Sequence, residues 1–304
     1  MKLGLVSAIL EQSSFDELID TAADCGLECV EVACWPHGQA ERRYAGVSHI
    51  DVTQLTETDI HAIKQKCTEK NVAISALAYY PNPLDPDLTV RTATINHLKC
   101  VIDASARLGV YLVNTFIGRD QHKSVAENMK IVAEIWPDIL DYAKERDVYI
   151  AIENCPMYFT EDEWPGGKNL FTTPSIWREI FRILPDKHLG INYDPSHFIW
   201  QRIDYIKPLY EFKERIYHVH FKDLTLYDRK LDNVGVMAHP LEYMAPKLPG
   251  LGDVDWARYV SALNDIGYTG YACIEIEDKA YEDSQQSILN SITLSTRYLR
   301  QFII

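Results

Sequence analysis

Four side chains that could bind a metal ion stand at or near the ends of strand-like apolar runs in the second half of the sequence. They are Glu153, Asp194, His220 and Glu275. Charged groups of this kind are rarely buried without a partner, and three carboxylates in contact repel one another unless a cation lies between them. Three carboxylates and one imidazole suit one divalent ion, with Mn²⁺ as the first choice and Mg²⁺, Co²⁺ or Zn²⁺ as alternatives. The competing interpretation is a set of ordinary ion pairs, which would need a partner for each group.

Strands whose alternate side chains face the same way must bring these four groups together. In a parallel barrel, functional side chains collect at the carboxyl ends of the strands, and residues of one parity face the lumen. Glu153 shares its parity with Ala151, against Ile150 and Ile152, which places it in the lumen at the end of its strand. The matching inward positions of the later strands are Gly190, Asn192 and Asp194, then His218, His220 and Lys222, then Cys273, Glu275 and Glu277.

The whole chain alternates short apolar runs with longer amphipathic segments. The strand-like runs are Leu3–Ala8, Cys29–Cys34, Val72–Leu77, Val110–Phe116, Val148–Glu153, Gly190–His197, Ile216–Asp223 and Tyr271–Ile276. Helix caps stand between them, for example at Thr56 and at Thr173-Pro174. This alternation, without a linker-like break, predicts an α/β protein built as a single (β/α)8 TIM barrel over residues 1–304. An open doubly wound sheet is the alternative, but no Gly-rich phosphate loop follows the first run.

One long segment and the overall composition add further expectations. Residues 224–253 hold three prolines and three glycines, which predicts a long loop over the active site. The formal charge of −14 and the lack of a basic run disfavour nucleic acid and favour a small neutral or weakly charged substrate. Seven scattered cysteines with no CxxC pair, no secretion signal and no membrane-length apolar stretch indicate a cytoplasmic protein without a membrane partner. A homo-oligomer is compatible with these features.

Five short motifs together resemble the sugar phosphate isomerase/epimerase family, whose members have a xylose isomerase-like barrel. They are Ile152-Glu153-Asn154, Asp194-Pro195-Ser196-His197, His218-Val219-His220-Phe221-Lys222-Asp223, Pro249-Gly250-Leu251-Gly252-Asp253-Val254-Asp255-Trp256 and Ile274-Glu275-Ile276-Glu277-Asp278. Each motif alone is weak evidence for the family. In order along nearly the whole chain, the set is specific for the family but not for one reaction.

The resemblance implies a role for each residue of the candidate metal cluster. It implies that the metal ligands are Glu153, Asp194, His220 and Glu275. In the epimerases of this family, the two metal-bound glutamates lie on opposite faces of the sugar and exchange protons beside a carbonyl, through a metal-stabilised enediolate. By resemblance, Glu153 and Glu275 are then the acid/base pair, and His197 contacts the substrate. The predicted reaction is the isomerisation or epimerisation of a keto-sugar or related polyol.

Other side chains are candidate substrate contacts. Lys222 has the lumen parity, although an ion pair with Asp223 or Glu277 accounts for it equally well. Aromatic residues at the ends of the second and third strands could stack on a sugar ring, or could simply pack at the rim. The candidates at these two strand ends are Trp35, His37 and Tyr79.

Alternative functions stay open because the chain departs from the ketose 3-epimerases. Those enzymes carry an acidic residue where this chain has Phe159, and an arginine where it has Lys222-Asp223. The closest alternative is a metal-dependent dehydratase or lyase acting on an inosose or a 3-oxo-sugar, including 3-oxo-glycosides. A sugar-binding subunit without turnover is a third hypothesis. Abasic-site endonucleases of the endonuclease IV type use additional histidines that the third and fourth strand ends lack.

Overall fold

Eight parallel strands close into a barrel in the computed structural model, which describes residues 1–36, 38, 44–158 and 166–303. The barrel strands are β1 (Lys2–Val6), β2 (Cys29–Ala33), β3 (Ala73–Ala78), β4 (Leu112–Thr115), β5 (Tyr149–Glu153), β6 (Leu189–Tyr193), β7 (Ile216–Phe221) and β10 (Tyr271–Ile274). The two remaining strands, β8 (Asp223–Leu226) and β9 (Met244–Lys247), form a separate antiparallel pair. β1 pairs with both β2 and β10, so the barrel sheet has no edge. The predicted (β/α)8 barrel is confirmed, and the open doubly wound sheet is ruled out.

Helices cover the outside of the barrel and connect successive strands. The α-helices of the described residues are α1 (Phe15–Asp24), α2 (Glu57–Lys70), α3 (Leu88–Leu108), α4 (Val125–Lys144), α5 (Pro174–Ile183), α6 (Ser196–Trp200), α7 (Lys207–Glu211), α8 (Asp228–Val234), α9 (Trp256–Asp265) and α10 (Gln285–Leu299). Thr56 caps α2 and Thr173 caps α5, with Pro174 at the first helical position, as predicted. No helix in these parts of the chain combines the length and apolar character needed to cross a membrane.

The two faces of the barrel strands differ in polarity, as the alternation of residues predicted. Ile150, Ile152 and Val219 belong to the apolar core and are fully buried. The other parity carries polar side chains that are buried as well. Those that hydrogen-bond to one another across the barrel are Glu31, Ser75, Asn114, Asn192, His218 and His220. Apolar packing therefore stabilises the outside of the barrel, while the lumen is built from hydrogen bonds.

Residues 224–253 form more regular structure than their proline and glycine content suggested. β8 pairs antiparallel with β9, with Asp223 opposite Lys247 and Leu226 opposite Met244, and α8 lies between the two strands. Leu224 and Tyr243 of this segment pack with Trp200 of α6 in a small buried cluster. We refer to residues 223–247 as the hairpin insertion.

A single carboxylate anchors the chain where the hairpin insertion leaves and rejoins the barrel. Asp223 is fully buried and accepts hydrogen bonds from the backbone N–H groups of Leu224, Gly250, Gly252 and Val254 and from the indole N–H of Trp256, at 2.9 to 3.2 Å. A Cβ atom at Gly252 would lie 2.3 Å from Asp223 Oδ1, so only glycine permits this approach. The 249–256 motif is therefore a backbone cage around Asp223.

We expect Asp223→Asn to destabilise the fold by about 2 to 3 kcal/mol, because the amide replaces a charged acceptor and turns an N–H group toward other N–H donors. Urea denaturation of the metal-free protein measures the change. Asp253→Asn is the matched control, because Asp253 is exposed and accepts one backbone hydrogen bond, from Leu226. Equal stabilities of the two variants would contradict the anchoring role.

Candidate metal centre

The four predicted metal ligands come together at the carboxyl end of the barrel. Glu153 ends β5, Asp194 follows β6, His220 lies in β7 and Glu275 follows β10. One ligand atom from each residue lies within 4.8 Å of the corresponding atoms of the other three. His220 Nδ1 is 3.1 Å from Glu275 Oε2 and 3.6 Å from Glu153 Oε1. Atoms that share one ion at about 2.0 to 2.3 Å must lie within roughly this range of one another.

The unsatisfied polar atoms of the cluster test whether a metal ion fits. Asp194 Oδ2, His220 Nδ1 and Glu275 Oε2 are buried and make no hydrogen bond, even though they face one another at short distances. A buried polar atom without a partner is costly, and three in one cluster are unusual in a folded protein. All three are lone-pair donors of the kind that bind divalent ions. The residues therefore fit a divalent cation.

The charges around the cluster keep its glutamates ionised. Burial alone would raise the pKa of Glu153, but the imidazoles of His197 and His220 outweigh burial and hold that pKa well below its usual range. At Glu275 burial also acts to raise the pKa, but Lys222 lowers it to about 2. Lys222 Nζ lies 3.2 Å from Glu275 Oε1 and 2.6 Å from Glu277 Oε2. Of the two ion-pair partners considered for Lys222, Glu277 is therefore the one present, whereas Asp223 serves the 249–256 cage.

Glu31 of β2 is a buried carboxylate that the sequence analysis missed. Its Oε2 atom lies 2.7 Å from His220 Nε2, and its oxygens also accept hydrogen bonds from Tyr80 Oη and Asn114 Nδ2. Asn192 Nδ2 lies 2.9 Å from the same His220 nitrogen. An unprotonated Nε2 would place its lone pair against the ionised carboxylate, so the Nε2–H tautomer is favoured. Nδ1 is then the free lone-pair donor that faces Glu153 and Glu275.

Below this layer, His218 is held by hydrogen bonds rather than by an ion. Its Nδ1 lies 3.0 Å from Asn192 Oδ1, and its Nε2 lies 3.0 Å from Ser75 Oγ. Glu31, His218 and His220 are close enough to resemble a second ion site. However, both nitrogens of His218 and both oxygens of Glu31 already have hydrogen-bonding partners. This group is therefore the hydrogen-bonded support of the cluster.

His197, predicted to contact the substrate, lies against the cluster on α6. Its Nε2 atom is 3.1 Å from Asp194 Oδ2 and 3.7 Å from Glu153 Oε1, and it makes no hydrogen bond. Ser196 donates its backbone N–H to Asp194 Oδ1, which fixes the start of α6 beside the carboxylate. His197 is thus placed at the same end of the barrel as the four predicted ligands.

The structure does not bring all the predicted substrate-binding residues to the cluster. Tyr79 is buried, with its ring 4.9 Å from Trp35 and 4.7 Å from His97 of α3, so this pair packs beneath a helix. The neighbouring Tyr80 instead enters the lumen and donates to Glu31 Oε1 at 2.6 Å. His37 and Phe159 lie outside the described residues.

Comparisons with known proteins agree with this architecture. The family model of the xylose isomerase-like TIM barrel matches residues 19–294. The protein YfiH of Bacillus subtilis is 25% identical over 311 residues, which cover 91% of this chain and 93% of that protein. An inosose dehydratase of Lactiplantibacillus plantarum is 28% identical over 124 residues, 39% of each chain. The structure of D-psicose 3-epimerase from Clostridium cellulolyticum H10 with D-tagatose aligns with a TM-score of 0.70 at 14% identity, over 100% of this chain and 99% of that one, which is a likeness of fold.

Proposed function

Since the chain belongs to the xylose isomerase-like TIM barrel family, we propose that it is a divalent-metal-dependent enzyme that isomerises or epimerises a keto-sugar or related polyol. The observation that carries the proposal is the pair of ionised glutamates, Glu153 and Glu275, in one cluster with the carboxylate of Asp194 and the imidazole of His220. β5 and β10 are separated around the barrel by β6 and β7. The two carboxylates therefore reach the cluster from different sides.

The proposed chemistry assigns a task to each buried group. A divalent cation bound by Glu153, Asp194, His220 and Glu275 would stabilise negative charge that develops on a substrate carbonyl oxygen. Glu153 and Glu275 remove a proton from the carbon beside the carbonyl and return one, each acting on its own face of the sugar. His197 Nε2, which lies 3.1 Å from Asp194 Oδ2 and 3.7 Å from Glu153 Oε1, would contact a substrate hydroxyl at the cluster. Lys222 holds Glu275 in place through its ion pair.

A dehydratase or lyase is the second candidate, and the position of Lys222 favours it. Its ammonium group contacts Glu275 and is almost fully buried. After a carboxylate removes the proton beside a ketone, the adjacent ammonium can donate a hydrogen bond to the departing β-hydroxyl group, and the newly protonated carboxyl group can supply the proton with which it leaves as water. The partial similarity to an inosose dehydratase supports the same reaction class. The substrate would then be an inosose or a 3-oxo-sugar, including a 3-oxo-glycoside.

We expect the purified protein to contain a divalent metal, with Mn²⁺ as our first choice, and to lose turnover when a chelator removes it. A panel of ketoses, inososes and 3-oxo-glycosides incubated in D₂O separates the two reactions. Isomerase or epimerase activity incorporates deuterium into an unchanged carbon skeleton, which proton NMR detects, whereas a dehydratase or lyase releases water or the aglycone. Turnover that survives complete metal removal would refute both.

A further inference from the structure

A cavity lies at the same end of the barrel as the metal cluster. Several residues of its wall follow the cluster residues closely in sequence. It has a volume of about 420 Å³, within the range of small-ligand sites. Its walls come from the loops that follow β4, β5, β6 and β7. Pro156 stands three residues after Glu153, and Trp200 stands three residues after His197 on α6. Tyr243 of the hairpin insertion also lines the cavity.

The charges lining this cavity differ from those of the protein as a whole. The chain carries a formal charge of −14, yet the described residues of the cavity wall include two arginines, Arg119 and Arg202, and no acidic residue. Arg202 is already paired with the carboxylate of Asp228. Its charge is therefore largely neutralised, which leaves Arg119 as the principal cation of the wall.

Arg119 is held in place by hydrogen bonds but has no anionic partner among the described residues. Its backbone N–H donates to Asn82 Oδ1, and its carbonyl accepts a hydrogen bond from the same amide side chain. Its guanidinium donates one hydrogen bond, from Nη1 to the carbonyl oxygen of Gly166 at 2.7 Å. Within the described residues no carboxylate lies within ion-pair distance of it. A half-buried guanidinium that is bonded to a carbonyl oxygen but to no carboxylate of the described residues still offers N–H donors that match carboxylate and phosphate groups.

We propose that this cavity binds an anionic group of the substrate, a phosphate or carboxylate carried away from the carbonyl carbon, and that Arg119 is its specificity-determining residue. The proposal rests on the proposed function for the idea that the same substrate reaches the metal cluster. The neighbouring Trp200 and Tyr243 pack against each other and give the anion site an apolar wall. Such a wall excludes water and strengthens the ion pair.

Binding of inorganic phosphate and of acetate, each titrated by calorimetry into the full-length protein, tests the site. Metal-free protein is used first, so that the anion cannot bind the cation, and metal-loaded protein second. We expect saturable binding of at least one anion, and Arg119→Gln should weaken it at least about tenfold through loss of the charge-assisted hydrogen bonds. The tighter of the two anions identifies the substrate group as phosphate or carboxylate. Arg119→Lys, which keeps the charge but lacks the planar donor pair, should bind the anion more weakly than the wild type and more tightly than Arg119→Gln.

Arg178→Gln is the matched control, because it makes the same change in net charge at an exposed arginine of α5 that pairs with Glu211. Equal binding by wild type and Arg119→Gln, or equal losses in Arg119→Gln and Arg178→Gln, would overturn the proposal. Circular dichroism shows whether each variant is folded. Anion binding that depends on Arg119 in a protein without metal-dependent turnover would instead contradict the proposed function alone.

Discussion

Glu153→Gln is expected to lower turnover by about 10³-fold, the middle of the range for loss of a positioned general acid or base. The glutamine keeps an oxygen near the other predicted ligands but cannot accept a proton from carbon. Deuterium exchange from solvent into the substrate should fall with turnover, because both depend on the same proton transfer. Metal content, measured on the same samples, separates loss of the base from loss of the ion.

Glu277→Gln is the matched control for this experiment. Glu277 contacts Lys222 at 2.6 Å, as Glu275 does at 3.2 Å, but it is not one of the four clustered residues. We expect its replacement to lower turnover by less than about tenfold, because a partly exposed ion pair contributes little free energy. If Glu153→Gln bound metal and turned over every substrate like the wild type, the sugar-binding subunit without turnover would become the better hypothesis.

Glu31→Gln is expected to weaken metal binding by about 10- to 100-fold, although Glu31 is not one of the four clustered residues. In the Nε2–H tautomer, His220 donates to Glu31 Oε2, which lies 2.7 Å away, and Nδ1 is the nitrogen left to bind the ion. A neutral amide supports this tautomer weakly and reduces the basicity of the ring. Competition with a chromophoric chelator gives the dissociation constant directly, without any assay of turnover.

Tyr80→Phe provides the comparison for Glu31. This change removes the hydroxyl that donates to Glu31 Oε1, accepts from Asn192 Nδ2 and lies 3.4 Å from His220 Nε2, but it keeps the Glu31 carboxylate, whose Oε2 atom contacts His220 at 2.7 Å. We expect the metal affinity of Tyr80→Phe to fall by less than about tenfold, because the charged acceptor remains in place. Metal affinity in Glu31→Gln equal to that of the wild type would contradict the positioning role.

The sequence was sufficient to predict the barrel and the four clustered residues because both depend on local patterns. Strand parity alone assigned Glu153 and His220 to the lumen, and the closed barrel then brought them together. Glu31 was missed because its significance depends on contacts distant in sequence. It meets His220 across 189 residues, and a register shift between β2 and β3 falls between Val30 and Glu31.

Two further differences have local causes. Tyr79 and Tyr80 follow the end of β3, where strict alternation no longer decides which ring enters the lumen. The antiparallel pairing of β8 and β9 joins runs of four residues separated by a helix. Runs this short, one of them containing Pro246, carry no alternation strong enough to distinguish a strand from a loop.

Because of the cage around Asp223, the chain on both sides of the hairpin insertion is held at the same point of the barrel. The chain leaves at Asp223 and returns to the same carboxylate at Gly250 and Gly252, immediately before α9. The length and sequence of the hairpin insertion can therefore change without displacing β7 or α9, since each residue added to a loop adds little to the entropic cost of closing it. The contacts that join the end of β7 to the start of α9 are thus independent of the residues that the hairpin insertion contains.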